Sequence, residues 1–318
     1  MTNVYSKSTS DWQCRPTFWN RPGVDTGDEI AELGAGVAMI GAPWDGGSSF
    51  RPGARFGPRA VRSAVFNPST HHFHSGVVLK EVLKIVDFGD AYCPVGQPDL
   101  ALSSIARKVG TALAAGAMPL LIGGDHSVTV PAVRAVVQSE DQDQIGVIQI
   151  DAHADTDAEI DGDPLSHGCV IRRLVEDDLI AGDNILQLGL RGFWPPASQM
   201  EWAKSHGISW LSVDQAVDEG LLVPALDALR RKVSKVYLTV DLDSLDPAFA
   251  PGVGTPEPGG FSTRELFRII RSICARFQFV GVDVVELVPA HDVADISANT
   301  ALRTALEILA GIASRRGA

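Results

Sequence analysis

The chain has 318 residues, a length that suits one large α/β domain or two smaller ones. Hydrophobic residues make up 45% of it and charged residues 21%, the composition of a globular protein with a core. The formal net charge of −12 at pH 7 argues against nucleic acid or an anionic membrane as the main partner. No window approaches the roughly 20 apolar residues of a membrane span. We therefore expect neither a nucleic-acid-binding protein nor a membrane protein.

The N-terminal segment differs from the rest of the chain, because it contains Pro and Trp residues and little hydrophobic periodicity. We predict that residues 1–35 form an extended arm, packed on the body of the protein or on a neighbouring subunit. The arm shows no apolar segment of the kind found in secretory signals. The cysteines are scattered and form no CxxC pair, which predicts reduced thiols in a cytoplasmic protein. They are Cys14, Cys93, Cys169 and Cys274.

Eight short apolar runs after the arm are typical of β-strands. In chain order they are 36–42, 84–90, 118–125, 145–151, 184–190, 207–212, 235–241 and 279–287. Between them, segments such as 99–115 and 299–314 place their apolar residues on one helical stripe. This alternation has no long linker, so it predicts one domain, residues 36–318, of the α/β class. Its sheet should be central, mostly parallel, of about eight strands, and covered on both faces.

Acidic and histidine residues follow four of the predicted strands. Ligands of such sheets lie beyond the carboxyl ends of the strands, so these residues are candidates for a site. Residues two apart in an extended segment point to the same side, which lets Asp151 converge with His153 and Asp241 with Asp243. The full set is Asp125, His126, Asp151, His153, Asp155, Asp241, Asp243 and Glu286.

Four aspartates and two histidines in one pocket would repel one another without a compensating cation. One acidic cluster could be an ordinary hydrogen-bonded group, but three clusters after three apolar strands make that interpretation weak. Two divalent cations would neutralise the carboxylates and generate a hydroxide at neutral pH. Oxygen-rich ligands with a minority of imidazole favour Mn²⁺ over Zn²⁺, and Ni²⁺ is compatible with the same residues.

Three motifs carry a family resemblance: GGDHS at 123–127, DAHAD at 151–155 and DLDSLDPAFAPGVGTPEPGG at 241–260. They resemble the signatures of the ureohydrolases, the arginase and agmatinase family, and SHG at 166–168 matches as well. The motifs run in family order over residues 36 to 290, and their details are closer to the agmatinase-like branch than to arginase proper. The resemblance implies a three-layer α/β/α sandwich and an enzyme that hydrolyses C–N bonds of linear amidines.

The resemblance also implies a binuclear manganese site and two further functional residues. The first ion would be held by His126, Asp151, Asp155 and Asp241. The second would be held by Asp151, His153, Asp241 and Asp243, so that Asp151 and Asp241 bridge the two. His167 matches the proton-shuttling histidine of the family, and Glu286 matches the acid that pairs with the substrate guanidinium.

The chemistry of a guanidinium agrees with these assignments. Its carbon is a poor electrophile, so attack needs a metal-activated hydroxide and a carboxylate, Glu286, that orients the planar cation. Asp155 is suited to accept a hydrogen bond from the attacking water and to move its proton. His167 is suited to protonate the leaving amine near neutral pH. The expected products are urea and an amine.

The loop at 156–166 bears on the substrate, since it carries several acidic residues. Either it is a solvated acidic loop, or Asp157 and Asp163 line the pocket and bind substrate together with Glu286 and His167. In the second case a small cationic substrate such as agmatine is favoured over an acid-tailed one. The sequence departs from the agmatinase-like pattern at Cys169, where threonine is usual. Hydrolysis of guanidine, an alkylguanidine or a metformin-like biguanide, or of guanidinobutyrate or guanidinopropionate, therefore stays open.

Other functions and assemblies also stay open. The resemblance suggests a homo-oligomer, a trimer or hexamer. A non-catalytic subunit in a mixed oligomer with a paralogue is a second class, although the intact ligand set argues against it. A mononuclear zinc deacetylase is a third, but it needs neither His126 nor Asp243. We expect the histidines at 71–74 to lie in a surface loop, and the Gly-rich segment at 41–49 to shape the pocket rather than to bind nucleotide.

Overall fold

Eight parallel strands form one central sheet in this computed structural model, which describes residues 16–65, 69–193 and 195–316. The strands are β1 (Val37–Gly41), β2 (Ile85–Asp90), β3 (Met118–Ile122), β4 (Ile145–Ile150), β5 (Ile185–Leu190), β6 (Ser209–Ser212), β7 (Lys235–Asp241) and β8 (Gln278–Val285). Each predicted apolar run contains or overlaps one of them. The predicted parallel sheet of eight strands is confirmed.

Helices cover both faces of the sheet. They are α1 (Gly27–Leu33), α2 (Gly57–Ser63), α3 (Leu79–Val82), α4 (Pro98–Ala114), α5 (Thr129–Val137), α6 (Val170–Glu176), α7 (Ala197–Ser205), α8 (Val213–Val217), α9 (Glu219–Arg230), α10 (Thr263–Cys274) and α11 (Ile296–Arg316). Across the three described ranges, none of these helices has both the length and the apolar character needed to cross a membrane.

Two hydrophobic cores lie on opposite faces of the sheet. Successive strand residues point to opposite faces, so Val147 packs with α4, α5 and α6, while its neighbour Ile148 packs with α9, α10 and α11. Every residue of β4 is buried for this reason. The resulting three layers are the expected α/β/α sandwich.

The described part of the N-terminal arm packs on the body of the protein. Phe18 and Trp19 are buried, and the Phe18 amide donates a 2.7 Å hydrogen bond to Asp87 of β2. Helix α1 corrects the expectation that the arm is extended, because Thr26 and Glu29 form a capping box that starts the helix. Residues 1–15 of the predicted arm lie outside the described residues.

The strand order brings the functional strand ends together. The sheet runs β2-β1-β3-β8-β7-β4-β5-β6, so that the last strand of the chain lies between β3 and β7. The four strands followed by acidic and histidine residues are therefore the four adjacent strands β3, β8, β7 and β4. Because all are parallel, their carboxyl ends meet at one edge of the sheet.

Candidate functional site

His126 lies at the centre of the first group of side chains. Its Nδ1 atom is 3.0 Å from a carboxylate oxygen of Asp151, 2.9 Å from one of Asp155 and 3.3 Å from one of Asp241. All four residues are buried. The structure thus brings together, from the ends of β3, β4 and β7, the four residues predicted to hold the first ion.

His153 lies at the centre of the second group. Its Nδ1 atom is 3.1 Å from Asp243 and 3.6 Å from Asp151. Asp151 faces His126 through Oδ2 and His153 through Oδ1, which is the arrangement of a bridging ligand. Possible ligand atoms converge in two triplets, His126 with Asp151 and Asp241, and Asp151 with His153 and Asp243.

The geometry of this cluster fits divalent cations. Ligand atoms at right angles about 2.1 Å from an octahedral ion lie about 3.0 Å apart, close to the observed separations around His126. Within the described ranges, His126 Nδ1 is a buried atom without a hydrogen bond of acceptable geometry, as expected of a metal ligand. Burial opposes a charged imidazole at His153, yet Asp243 and Asp151 raise its pKa to about 12. The carboxylates therefore create a field that favours a cation.

Three polar residues that were not predicted from the sequence form hydrogen bonds to the ligand side chains. Gln149 Nε2 donates to Asp151 at 2.7 Å and to Asp155 at 3.1 Å. Thr239 Oγ1 lies 2.8 Å from His126 Nε2, which orients the ring so that Nδ1 faces the carboxylates.

The third residue, Thr255, donates a 2.9 Å hydrogen bond from Oγ1 to Asp243. The sequence did carry a signal for two of these supports. Gln149 and Thr239 are polar residues in apolar strands, each two positions before a ligand and therefore on the same face of the strand.

Glu286 and His167 form a buried pair beside the cluster. Glu286 Oε1 accepts hydrogen bonds from His167 Nδ1 and from the backbone amide of His126, both at 2.8 Å. The other ring nitrogen of His167, Nε2, is 2.7 Å from Ser49 Oγ. The pair thus links the end of β8 to the 3₁₀ turn His167–Cys169 and to the Gly-rich segment.

Each member of this pair stabilises the charged form of the other. Burial disfavours charge on both, but the Glu286 carboxylate raises the pKa of His167 to about 9. In return the His167 imidazolium holds the pKa of Glu286 below its usual range. Burial and the charge of Glu286 together raise the pKa of nearby Asp125 to about 7.

The backbone is strained at two of the predicted functional residues. Asp155 has a φ angle of 50° and Glu286 one of 65°, values that non-glycine residues rarely adopt. Such strain persists only where the surrounding structure enforces it, and it is common at active sites. Asp155 lies in the loop after β4, and Glu286 directly follows β8.

The side chains surround a cavity of about 220 Å³ at the carboxyl edge of the sheet. Five of the six predicted ligand residues and His167 form one part of its wall. The rest of the wall consists of Ser49, Ile160, Gly168 and Thr255. A molecule that reaches the ligand cluster must therefore contact this second set.

The acidic loop at 156–166 holds both of its predicted substrate-binding aspartates in hydrogen bonds. Asp157 accepts a hydrogen bond from Gln199 Nε2, and its amide donates to the Gly168 carbonyl at 3.1 Å. Asp163 accepts a 2.9 Å hydrogen bond from the amide of Leu165. Among the described residues, the cavity wall includes neither aspartate.

The histidines at 71–74 and the Gly-rich segment at 41–49 differ in their distance from the site. His71 and His74 are exposed, whereas His72 lies 3.2 Å from Glu307 of α11. The Gly-rich segment at 41–49 forms part of the site, since Ser49 lines the cavity and the Gly47 amide donates a 2.7 Å hydrogen bond to Asp125.

An α/β sandwich with a cluster of carboxylates and imidazoles at the carboxyl ends of its central strands defines a class of metal-dependent hydrolases. Sequence comparison gives the family: the profile described as Arginase family matches residues 35–311. The chain belongs to the arginase family. It is a ureohydrolase, a hydrolase that acts on the C–N bonds of amidines.

Two curated relatives illustrate the range of the family. Proclavaminate amidinohydrolase of Streptomyces clavuligerus is 37% identical over 296 residues, covering 92% of this chain and 92% of the relative. Guanidinobutyrase of Pseudomonas aeruginosa is 34% identical over 278 residues, covering 87% and 85%.

Solved structures share the fold at similar coverage. A hypothetical agmatinase from Burkholderia thailandensis superposes with a TM-score of 0.84 at 32% identity, covering 100% of this chain and 97% of that one. Formiminoglutamase of Trypanosoma cruzi, solved with Mn²⁺, superposes with a TM-score of 0.80 at 26% identity, covering 89% and 95%.

Proposed function

We propose that the protein hydrolyses a guanidino C–N bond of a small cationic guanidino compound and releases urea and an amine. One observation supports this most strongly: the six-residue ligand cluster and the buried Glu286–His167 pair occur at the same edge of the sheet, where five of the ligand residues and His167 line one cavity. The first group is suited to bind metal ions. The second group is suited to bind a planar guanidinium and to protonate the amine that leaves.

In this proposal the two ligand groups would hold two divalent cations. His126, Asp151, Asp155 and Asp241 would hold one, and Asp151, His153, Asp241 and Asp243 would hold the other. When bound, the ions activate a water molecule for attack on the guanidinium carbon. The oxygen-rich ligand set favours Mn²⁺, with Ni²⁺ compatible, and the Mn²⁺-containing Trypanosoma cruzi structure is consistent with this choice.

Glu286 orients the guanidinium in the proposed mechanism. Its Oε1 atom is held by His126 and His167, which fixes the plane of the carboxylate. Its Oε2 atom would lie only 3.1 Å from a Cβ atom at position 254, so Gly254 keeps the space beside this oxygen open. The fixed carboxylate thus leaves Oε2 to accept hydrogen bonds from the substrate N–H groups.

His167 and Asp155 move protons. Burial opposes charge on His167, yet Glu286 raises its pKa to about 9 in the metal-free protein and so favours the protonated imidazole, which can donate to the leaving amine. Asp155 lies among the proposed ligands, where its carboxylate can accept a hydrogen bond from the attacking water and help to move its proton.

The substrate tail is proposed to carry no acid. Within the part of the chain that the structure describes, no Lys or Arg side chain lines the cavity, so a carboxylate tail would lack a cationic partner there. The names of the relatives do not decide the charge of the substrate tail, because they include a guanidinobutyrase and a hypothetical agmatinase. Agmatine, guanidine, alkylguanidines and biguanides are the compounds that fit.

A urea-release screen tests the reaction. The substrates are agmatine, guanidinobutyrate, guanidinopropionate, arginine, guanidine, alkylguanidines and metformin, each with Mn²⁺ and with Ni²⁺. We expect metal-dependent urea from at least one substrate without an acidic tail, and its loss in Asp151→Ala and Asp241→Ala. Full activity in either variant would end the proposal. An empty metal site and no turnover on any guanidine would instead support a non-catalytic subunit of a mixed oligomer.

The assembly is proposed to be a homo-oligomer, a trimer or hexamer, in the cytoplasm. Several aromatic side chains are exposed in the single chain, among them Phe73 at 94% and Phe193 at 103%, and subunit contacts commonly bury such groups. The described cysteines are free thiols, consistent with a reducing compartment. Light scattering on the purified protein measures the assembly directly, and a monomeric mass would contradict it.

A further inference from the structure

Ile160 occupies a distinctive position in the cavity wall. Of the wall residues that are neither predicted metal ligands nor His167, it is the one with an aliphatic side chain in the described part of the chain. The others, Ser49, Gly168 and Thr255, are small. A substrate whose guanidinium lies at the ligand cluster must extend its tail past these residues. The side chain of Ile160 is therefore placed to contact the tail.

A tight turn fixes the position of Ile160. Ile160 and Asp163 exchange two backbone hydrogen bonds, at 3.1 and 2.9 Å, across Asp161 and Gly162. Both central residues have positive φ angles, 52° and 81°, as in the turns of tight hairpins. The Asp163 carboxylate then accepts from the Leu165 amide, which ties the turn to the chain leading to His167.

Gly168 leaves room for the side chain of Ile160 beside the His167 turn. A Cβ atom at position 168 would lie 2.6 Å from Ile160 Cδ1, closer than such atoms approach in proteins. A side chain at position 168 would therefore displace the terminal methyl group of Ile160 from its observed place.

We propose that Ile160 determines substrate specificity by presenting a fixed apolar wall that selects guanidines with short, uncharged tails. The inference rests on the proposed function and narrows it. A cationic tail against Ile160 finds no carboxylate on this side of the wall, because neither Asp157 nor Asp163 is among the described residues that line the cavity. An ammonium group against Ile160 would lose water without gaining a partner.

Three substrates of matched length test the wall: butylguanidine, agmatine and 4-guanidinobutyrate, with neutral, cationic and anionic tails. Methylguanidine measures the effect of length. For the native protein we expect kcat/KM for butylguanidine to exceed that for agmatine by at least about tenfold, since an unpaired polar group in an apolar pocket is rejected strongly. A preference for agmatine or 4-guanidinobutyrate over butylguanidine would overturn the inference.

Two substitutions of Ile160 separate size from charge. Ile160→Ala should raise kcat/KM for butylguanidine relative to methylguanidine by about tenfold, the scale on which an apolar pocket discriminates methylene groups. Ile160→Asp should raise the ratio of agmatine to butylguanidine by a similar factor. Leu165→Ala is the matched control, an aliphatic truncation in the same loop that should leave both ratios unchanged.

A double substitution tests the packing. Gly168→Ala should change the butylguanidine-to-methylguanidine ratio of kcat/KM, because its Cβ displaces Ile160 Cδ1. In the Ile160→Ala background Cδ1 is absent, so Gly168→Ala should leave that ratio unchanged. An equal change of the ratio in both backgrounds would contradict the proposed contact. If no guanidine yields urea with any metal, the proposed function fails; if urea forms but the Ile160 variants leave both ratios unchanged, only the role of Ile160 fails.

Discussion

Glu286→Gln is the substitution that tests the mechanism most specifically. Glu286 is 1% exposed, and its Oε1 accepts two hydrogen bonds of 2.8 Å, from the amide of His126 and the ring of His167. Glutamine keeps the shape and an acceptor oxygen but removes the charge. Removing one partner of a buried charge pair costs about 2–5 kcal/mol, which predicts a loss of about 30- to 5,000-fold in kcat/KM.

The variant also has a signature in pH. Glu286 is the main group that raises the pKa of His167 to about 9 against the opposing effect of burial, so the pKa of His167 should fall in the variant. Because His167 is the proposed proton donor, activity should then be lost with rising pH at a lower pH than in the native protein.

The assay is urea release as a function of pH, with metal content measured on the same samples. We expect unchanged metal content, because Glu286 is not among the proposed ligands. Glu265→Gln is the matched control, since Glu265 also accepts a backbone hydrogen bond, but in the capping box of α10. Activity within threefold of the native protein, or loss of metal that accounts for the defect, would refute the reasoning about Glu286.

Three further outcomes follow from the geometry. Thr239→Val removes the group 2.8 Å from His126 Nε2, so Mn²⁺ affinity measured by titration should fall about ten- to a hundredfold, and unchanged affinity would contradict the orienting role. In the metal-free protein the pKa of His167 is raised to about 9, above its unfolded value, by Glu286 against the effect of burial. The resulting stability, at most about 3 kcal/mol, is complete below pH 6.5 and lost as the pH rises through about 9. Denaturant unfolding of the chelated protein between pH 7 and 10 should show this loss, and His167→Asn should reduce it; equal pH dependence in both would contradict it. Gly124→Ala should prevent stable folding, as judged by circular dichroism, because its Cβ would overlap the carbonyl oxygen of Trp44, and a native melting temperature would show the contact to be wrong.

Much of the fold could be predicted from the sequence, and so could the grouping of the predicted metal ligands at one edge of the sheet. Strands such as β4 are buried on both faces, so they appear as unbroken apolar runs, and the parallel alternation places their ends at one edge. The two-residue period then puts Asp151 beside His153. These are local properties, and local properties are what a single sequence records.

Contacts between distant segments could not be read in this way. The position of β8 between β3 and β7 depends on how the whole chain packs, and no local pattern encodes it. The same is true of the contact of Asp157 with Gln199, which lies 42 residues away in the sequence. The helix within the predicted arm, Gly27–Leu33, was missed for a simpler reason: its capping box was present in the sequence but was not recognised.

The Glu286–His167 pair could be predicted only in part. Its members are 119 residues apart, and the family resemblance supplied a role for each without indicating that they touch. The structure adds their hydrogen bond, the contact with Ser49 and the resulting shift of the histidine pKa. Those features are what connect the two roles in one mechanism.

Metal stoichiometry tests the central claim most directly. Protein loaded with Mn²⁺, dialysed against metal-free buffer and analysed by inductively coupled plasma mass spectrometry should retain two ions per chain. Asp151→Ala, which removes a ligand shared by both groups, should retain fewer than one. One ion per chain in the native protein, as a mononuclear site would give, or two ions undiminished in Asp151→Ala, would contradict the account.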